Sequence, residues 1–358
     1  MKCYVTTEPF PRSGHRIVVD DGNLYSIGGY NPDFWEVPND GDTYYPLFRE
    51  LWKFNFANRK WTRLKTNGFM PVELASHTAL LHGSNLMLFG GTGVPFGEAA
   101  CNNLHICNLN SLIWQHVACE GEPPIRLYGH SMTIVGQYLY VFGGTTGWEY
   151  NADLHRLDMS RWVWEVVKAN NEPPDGRYRH EVACHARKLY VFGGGRSAAS
   201  YTFKKIPVFE IDTDTWHHYS CMPDTVHEFP AARRCHSCVQ LQHDVYMCGG
   251  YDGETIFGDF WALDLLTLQW RRLHTDLPQP IYFHSAAVTT SGCMVVCGGV
   301  TKIDDKRTSK VYTVWLKVPK LKELCWQLLT QALPDMDQIP QKHLLEIGVP
   351  NDLLGRLS

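Results

Sequence analysis

Six histidines are the first residues in this chain whose chemistry needs an explanation: His15, His77, His130, His180, His236 and His284. Histidine suits proton transfer and metal ligation near neutral pH. Here each one precedes a short apolar strand, at steps of 62, 53, 50, 56 and 48 residues. Radial repetition keeps equivalent side chains apart, so the six read as structural groups, satisfied by backbone at the starts of repeated units. Several come with an arginine, as in RSGH (12–15), RYRH (177–180) and RRCH (233–236). One Cys-x-x-Cys runs from Cys235 to Cys238. It falls in a predicted strand, where side chains three apart point to opposite faces, which opposes a shared metal. The carboxylates of Asp158, Asp212 and Asp264 suit turns. No nucleophile motif, phosphate loop or paired-acid spacing appears. The expectation is a binding protein without metal, cofactor or catalytic residues.

Composition sets the frame. The chain has 358 residues, 44% apolar, 20% charged and 13% aromatic, with 12 Trp. That is a globular composition with enough length for a large core. The net charge of −4 gives no basic footprint for nucleic acid. The N-terminus lacks a secretory apolar region, and no apolar run is long enough to span a bilayer, so no membrane partner is expected. The 12 cysteines have no framework spacing. Reduced thiols in the cytoplasm or nucleus are the expectation.

A second marker keeps the histidine period. Strands ending in Gly-Gly read LYSIGG (24–29), LMLFGG (86–91), LYVFGG (139–144), LYVFGG (189–194), VYMCGG (245–250) and MVVCGG (294–299). The first glycines step by 62, 53, 50, 56 and 49 residues. A third marker, a Trp after the next strand, recurs at Trp61, Trp114, Trp164, Trp216 and Trp270. A period near 50 with four strands per unit predicts an all-β, six-bladed β-propeller of the kelch kind over residues 1–318. The sixth unit lacks a fourth strand with its Trp. KCYVTT (2–7) is the spare segment, so it is predicted to pair into blade 6 and close the ring. The insertion at 30–48 is predicted to form an ordered loop over one face.

Residues 319–358 form a different unit. Leu321, Leu324, Cys325, Leu328, Leu329 and Ala332 follow helical spacing, bracketed by Pro319 and Pro334. Two further apolar pieces are each opened by a proline: Ile339-Pro340 with Leu344-Leu345, and Val349-Pro350 with Leu353-Leu354. A propeller needs no helix to close, so the helix is a candidate partner surface.

The pattern Leu321-x-x-x-Cys325-x-x-x-Leu329 resembles the elongin-binding box of Cullin-2 substrate receptors. Either proline-led piece resembles the cullin-selecting box that follows it, and the residues leave open which one. Kelch repeats followed by such a tail are similar, over essentially the whole chain, to the kelch receptor group of Cullin-2 ubiquitin ligases. The resemblance implies a non-catalytic substrate receptor. Its partners would be elongin B, elongin C and Cullin-2 with a RING subunit. Its propeller would read substrate C-termini ending in Gly or another small residue. It also implies that Leu321, Leu324, Cys325, Leu328 and Leu329 bind elongin, and that Ile339, Pro340, Leu344, Leu345, Val349 and Pro350 serve the cullin.

A terminal carboxylate is best held by arginine in a partly dry pocket. The loops after each Gly pair and before each His should converge at one channel mouth. In the related receptors an Arg directly after this blade's Gly pair contacts the carboxylate, which makes Arg196 the leading candidate here. This chain departs from that group at Arg234 and Cys235, where the relatives have Ser and Trp, and at Tyr201, where they have a second Arg. Arg234 could replace that partner, and Arg179, Tyr128, Tyr178 and Tyr282 sit in similar loops. The competing expectations are a kelch scaffold or cytoskeletal binder without ligase association, with the helix stripe buried on the propeller, and a kelch-type copper oxidase, for which no ligand constellation appears.

Overall fold

Each glycine pair sits where a neighbouring blade leaves no room for a side chain. The structure, a computed structural model, describes residues 7–35, 45–301 and 306–357. A Cβ on Gly298 would lie 2.3 Å from His15 Cε1, and one on Gly143 would lie 2.7 Å from His180 Cε1. Both glycines also have positive φ. The histidine of one blade therefore wedges beneath the Gly pair of the blade before it. A backbone bond accompanies each wedge. The second glycine's N–H donates to the carbonyl three residues before the next histidine, at 2.8 Å for Gly29 to Leu74, 2.8 Å for Gly144 to Arg177 and 2.8 Å for Gly299 to Arg12. The last of these joins blade 6 to blade 1.

The blades follow in chain order. Blade 1 holds strands Arg16–Val19, Asn23–Ile27, Leu51–Asn55 and Trp61–Leu64. Blade 2 holds Thr78–His82, Asn85–Phe89, Leu104–Asn108 and Ile113–Val117, and blade 3 holds Ser131–Val135, Tyr138–Phe142, Leu154–Asp158 and Val163–Val166. Blades 4 and 5 run through Glu181–His185, Lys188–Phe192, Lys205–Glu210, Thr215–Ser220, and then Ser237–Leu241, Asp244–Cys248, Asp259–Asp264, Gln269–Asp276. Blade 6 has Ser285–Val288, Cys293–Cys297 and Val311–Trp315 among the described residues. Neighbouring strands within a blade are antiparallel. In blades 2 and 3 the incoming linker adds a short parallel strand, Asn67–Gly68 and Glu120–Gly121, which covers the outer edge. Residues 2–6 of the predicted closing strand lie outside the described residues, as do residues 36–44 of the insertion. The described part of the insertion packs Phe34 on Phe10, with ring centroids 4.6 Å apart, and on Tyr45 at 5.2 Å.

The core is a set of seams between blades. Trp164 of blade 3 packs on Phe89 of blade 2, and Trp216 of blade 4 packs on Phe142 of blade 3. Trp270 is fully buried among Phe192, Phe203 and Trp261. The last seam sets Ile17 and Leu24 against Val295 and Cys297, closing the ring. Each repeated Trp thus supplies a large apolar surface to a neighbour. The first arginine of RSGH, RYRH and RRCH is buried as a staple. Arg12, Arg177 and Arg233 each donate from Nη1 to the first glycine carbonyl of their own blade, at 3.0, 3.1 and 3.0 Å.

The tail is a small unit docked on blade 1. Helix α1 (Leu321–Ala332), helix α2 (Gln341–Glu346) and helix α3 (Asn351–Leu354) enclose Trp326, Met336, Leu344, Val349, Leu353 and Leu354 with Ala57. Pro340 and Pro350 cap α2 and α3. Arg356 makes two hydrogen bonds to Glu323, at 2.7 and 3.0 Å. Asn55 Nδ2 donates to the Arg356 carbonyl at 2.8 Å, and Lys60 pairs with Asp335. These contacts fall at the strand ends opposite the Gly pairs.

Two measurements check this construction. Gly143→Ala meets the His180 ring and a left-handed backbone, so it should cost about 2–4 kcal/mol in urea unfolding. The second concerns the histidines. Burial lowers His77, His130, His236 and His284 to about 3, and His15 and His180 fall well below the usual value. Unfolded histidines take up protons below about pH 6.5, whereas folded His77, His130, His236 and His284 stay neutral until about pH 3 and His15 and His180 until well below the usual value. Each therefore removes up to about 1.4 kcal/mol of stability per pH unit in that window, and nothing above it. The urea midpoint should be flat above about pH 7 and fall steeply towards about pH 5. Equal midpoints at both ends would mean that the wedged imidazoles are charged in the fold.

Candidate functional site

The residue directly before each wedged histidine stands at the propeller axis. These residues are Gly14, Ser76, Gly129, Arg179, Cys235 and Phe283, and all six have positive φ. Their backbones close a circle of hydrogen bonds. Ser76 N–H donates to Gly14, Gly129 to Ser76, Arg179 to Gly129, Cys235 to Arg179, Phe283 to Cys235 and Gly14 to Phe283, at 2.7–3.1 Å. One residue beyond the histidines, Arg16 of blade 1 reaches across to Glu181 of blade 4 at 3.0 Å and also donates to the His77 carbonyl. Circle and ion pair together narrow the channel.

At the mouth on the Gly-pair side lies a cavity of about 280 Å³. Tyr30, Phe96, Tyr128, Tyr178, Tyr282 and Phe283 supply aromatic walls; Arg179 and Arg307 supply the cations. Burial raises the Tyr128 and Tyr178 phenols, so both are neutral donors. Burial also holds the Cys235 thiol up at about 12, which removes it as a thiolate. The wedged histidines are neutral for the same reason. The site is therefore equipped to bind an anion beside an apolar group. The hydroxyl–imidazole pairs Ser131–His180 and Thr78–His130, at 2.9 and 3.0 Å, are buried and do not line it.

The structure divides the sequence candidates. Arg179, Tyr128, Tyr178 and Tyr282 line this one cavity. Arg196, Arg234 and Tyr201 are not among its lining residues. Arg196 is half-exposed, donates from Nε to the Gly176 carbonyl at 3.1 Å and pairs with Asp175 at 3.4 Å. Arg234 donates to Ser200 Oγ at 3.2 Å and to the Arg196 carbonyl at 3.4 Å. Tyr201 lies under the Arg177 guanidinium, 4.0 Å from ring centroid to Cζ, and its hydroxyl donates to Gly176. Ser76 and Phe283 could have been found by reading the position before every histidine. Arg307 could not, because loop lengths vary between blades; its Nε donates to Ser13 Oγ at 2.9 Å. One further cluster, His243, Asp244 and Asp264, has ligand atoms within 4.8 Å of one another. Its carboxylates are already used: Asp244 faces Arg271 and Lys317, and Asp264 caps a turn at Leu266 N.

At the tail, the apolar face of α1 points to solvent. Leu321, Leu324 and Leu328 are 75%, 40% and 66% exposed, and Cys325 is exposed too. Leu329 is half-buried against the tail core. The burial of the leucine stripe expected for a scaffold is absent, because Trp326 and the Glu323–Arg356 pair occupy the inward face. Of the second set, Leu344 and Val349 are buried in the tail core, Ile339 packs at its edge, and Pro340, Leu345 and Pro350 are exposed. No helix among the described residues is long and apolar enough to cross a membrane.

The axial ion pair gives a stability test. Glu181→Ala strands Arg16 in a mostly dry channel and should cost about 3 kcal/mol in thermal or urea unfolding, with Arg16→Met/Glu181→Leu recovering most of it. No loss in the single variant would mean that water already screens the pair.

Residues 14–226 match the KLHDC2/KLHL20/DRC7 Kelch-repeats domain, and residues 232–274 match the Kelch motif. Kelch domain-containing protein 10 from Rattus norvegicus is 47% identical over 98% of this chain and 86% of its own length. The Homo sapiens protein of that name is also 47% identical, over 98% of this chain and 80% of its own. The Drosophila melanogaster homolog is 38% identical over 98% of this chain and 62% of its own. With the histidine and Gly-pair markers in register over six blades, the Trp marker over five, and this similarity along nearly its whole length, the chain belongs to the kelch-repeat β-propeller family of kelch domain-containing protein 10.

Proposed function

We propose that this protein is the substrate-recognition subunit of a Cullin-2–elongin B/C RING ubiquitin ligase, acting in the cytoplasm and nucleus. The propeller takes the C-terminal tails of substrates into the axial cavity, and the partner subunits carry out ubiquitin transfer. The carrying observation is the solvent-facing stripe of Leu321, Leu324, Cys325 and Leu328. Four apolar side chains at helical spacing on an outward face match a helix-in-groove partner. Trp326 on the opposite face keeps the helix docked without using the stripe. The exposed Pro340, Leu345 and Pro350 lie in the same tail and suit the cullin contact. The arrangement also separates the two tasks: the cavity opens at the Gly-pair ends of the strands, and the tail docks at their other ends.

Two tests follow. Leu321→Ala/Cys325→Ala should reduce capture of recombinant elongin B–elongin C more than tenfold, with an unchanged melting temperature. A variant that unfolds instead would make the helix a structural cap. For the cavity, substrate-tail peptides should bind at least tenfold, or about 1.4 kcal/mol, more tightly as free acids than as amides. Equal binding would point to internal sequence rather than the terminus.

A further inference from the structure

The buried arginines Arg12, Arg177, Arg179 and Arg233 and the mostly buried Arg16 are not equally satisfied. Arg12 meets Glu50 at 2.5 Å, Arg233 meets Asp259 and Arg16 meets Glu181. Arg177 pairs with no carboxylate among the described residues, but Nε and Nη1 donate to the carbonyls of Asp175 and Gly193, and Tyr201 stacks on it. Arg179 differs from all of them. It is 6% exposed, it forms no ion pair among the described residues, and its Nε–H has no hydrogen-bond partner. Its Nη2 donates to Ser76 Oγ, and its Cζ lies 4.6 Å from the Phe283 ring centre. A buried guanidinium without a counter-ion is costly unless an anion completes it. The same side chain lines the cavity of about 280 Å³.

We propose that Arg179 is the group that anchors the terminal carboxylate in the cavity, and that Arg196, which does not line it, is not. This rests on the C-terminal reading above and deepens it. A carboxylate fits better than a phosphate: the remaining walls are mostly Tyr and Phe, which favour one charge carried on a small, apolar residue. Arg307, also in the lining, supplies a second positive charge near the mouth. Arg196 already has Asp175 and the Gly176 carbonyl, so a ligand there must displace existing bonds.

The test uses the full chain carrying ¹⁵N at arginine Nε, titrated with N-acetylglycine, N-acetylglycinamide and inorganic phosphate. The Arg179 Nε–H resonance, assigned by its loss in Arg179→Lys, should shift with N-acetylglycine and not with the amide. In parallel, Arg179→Gln should weaken free-acid tail peptides at least tenfold, and Arg196→Gln less than threefold. The wild-type titration decides the matter even if Arg179→Gln does not fold. If the Arg196 resonance shifts instead, or only Arg196→Gln loses binding, the inference is overturned and the C-terminal reading stands. A larger shift with phosphate overturns the ligand class. Equal shifts with acid and amide overturn the carboxylate anchor itself, and elongin capture by the tail then judges the receptor reading on its own.

Discussion

The circle of six backbone hydrogen bonds at the axis is the constraint on which the rest depends. Each N–H and carbonyl in it comes from a residue held in the left-handed region. Glycine adopts that conformation readily, but four of the six positions carry side chains, so tertiary packing must hold them there. The histidine that follows each one supplies that packing. It is pressed beneath the previous blade's Gly pair, where burial disfavours its charged form. A propeller blade has little hydrophobic core of its own. The seams of Trp, Phe and Leu between blades supply the driving force, and the histidine–glycine wedges fix the angle at which one blade meets the next.

The same circle makes the site. Its left-handed residues bring the side chains of Ser76, Arg179 and Phe283 from three blades to one cavity. The residues one position earlier, including Ser13, Ala75, Tyr128, Tyr178 and Tyr282, then form the wall around them. The repeat thus gives a rigid frame, and the substitutions at equivalent positions give its chemistry. Where the ring carries glycine, at Gly14 and Gly129, Arg179 approaches closely; its Nη2 would lie 3.2 Å from a Cβ on Gly14. The cavity floor is shaped by small residues on one side so that one long side chain can cross it from the other.

The tail solves a different problem. Its own core is small and would be marginal alone. It is completed by Ala57 of blade 1, by the Glu323–Arg356 pair and by polar contacts at Asn55, Asn58 and Lys60. Docking of this kind uses one face of α1 and leaves the other facing water. A leucine stripe in water is unfavourable for a free protein and favours a partner.

Much of the fold was legible in the sequence because it repeats. Three markers at one period fix the number of blades, the strand ends and the seam-filling Trp residues, since each reports a local requirement that recurs, six times for the histidine and the Gly pair and five for the Trp. The prolines and helical spacing likewise bound the tail helices. The site was legible only in part. In RYRH, two arginines stand two residues apart with the same side chain and the same apparent context. One became a staple over Tyr201, and the other points to the axis without a counter-ion among the described residues. Arg196 stands directly after a Gly pair, yet Asp175 and the Gly176 carbonyl engage it outside the cavity lining. Likewise, helical spacing located the leucine stripe but not the direction it faces. Those outcomes depend on which groups from distant parts of the chain arrive at the same point. Only the closed ring, which brings blades 1, 2, 4 and 6 together at the axis, and Arg356, which meets Glu323 across 33 residues of tail, decide them.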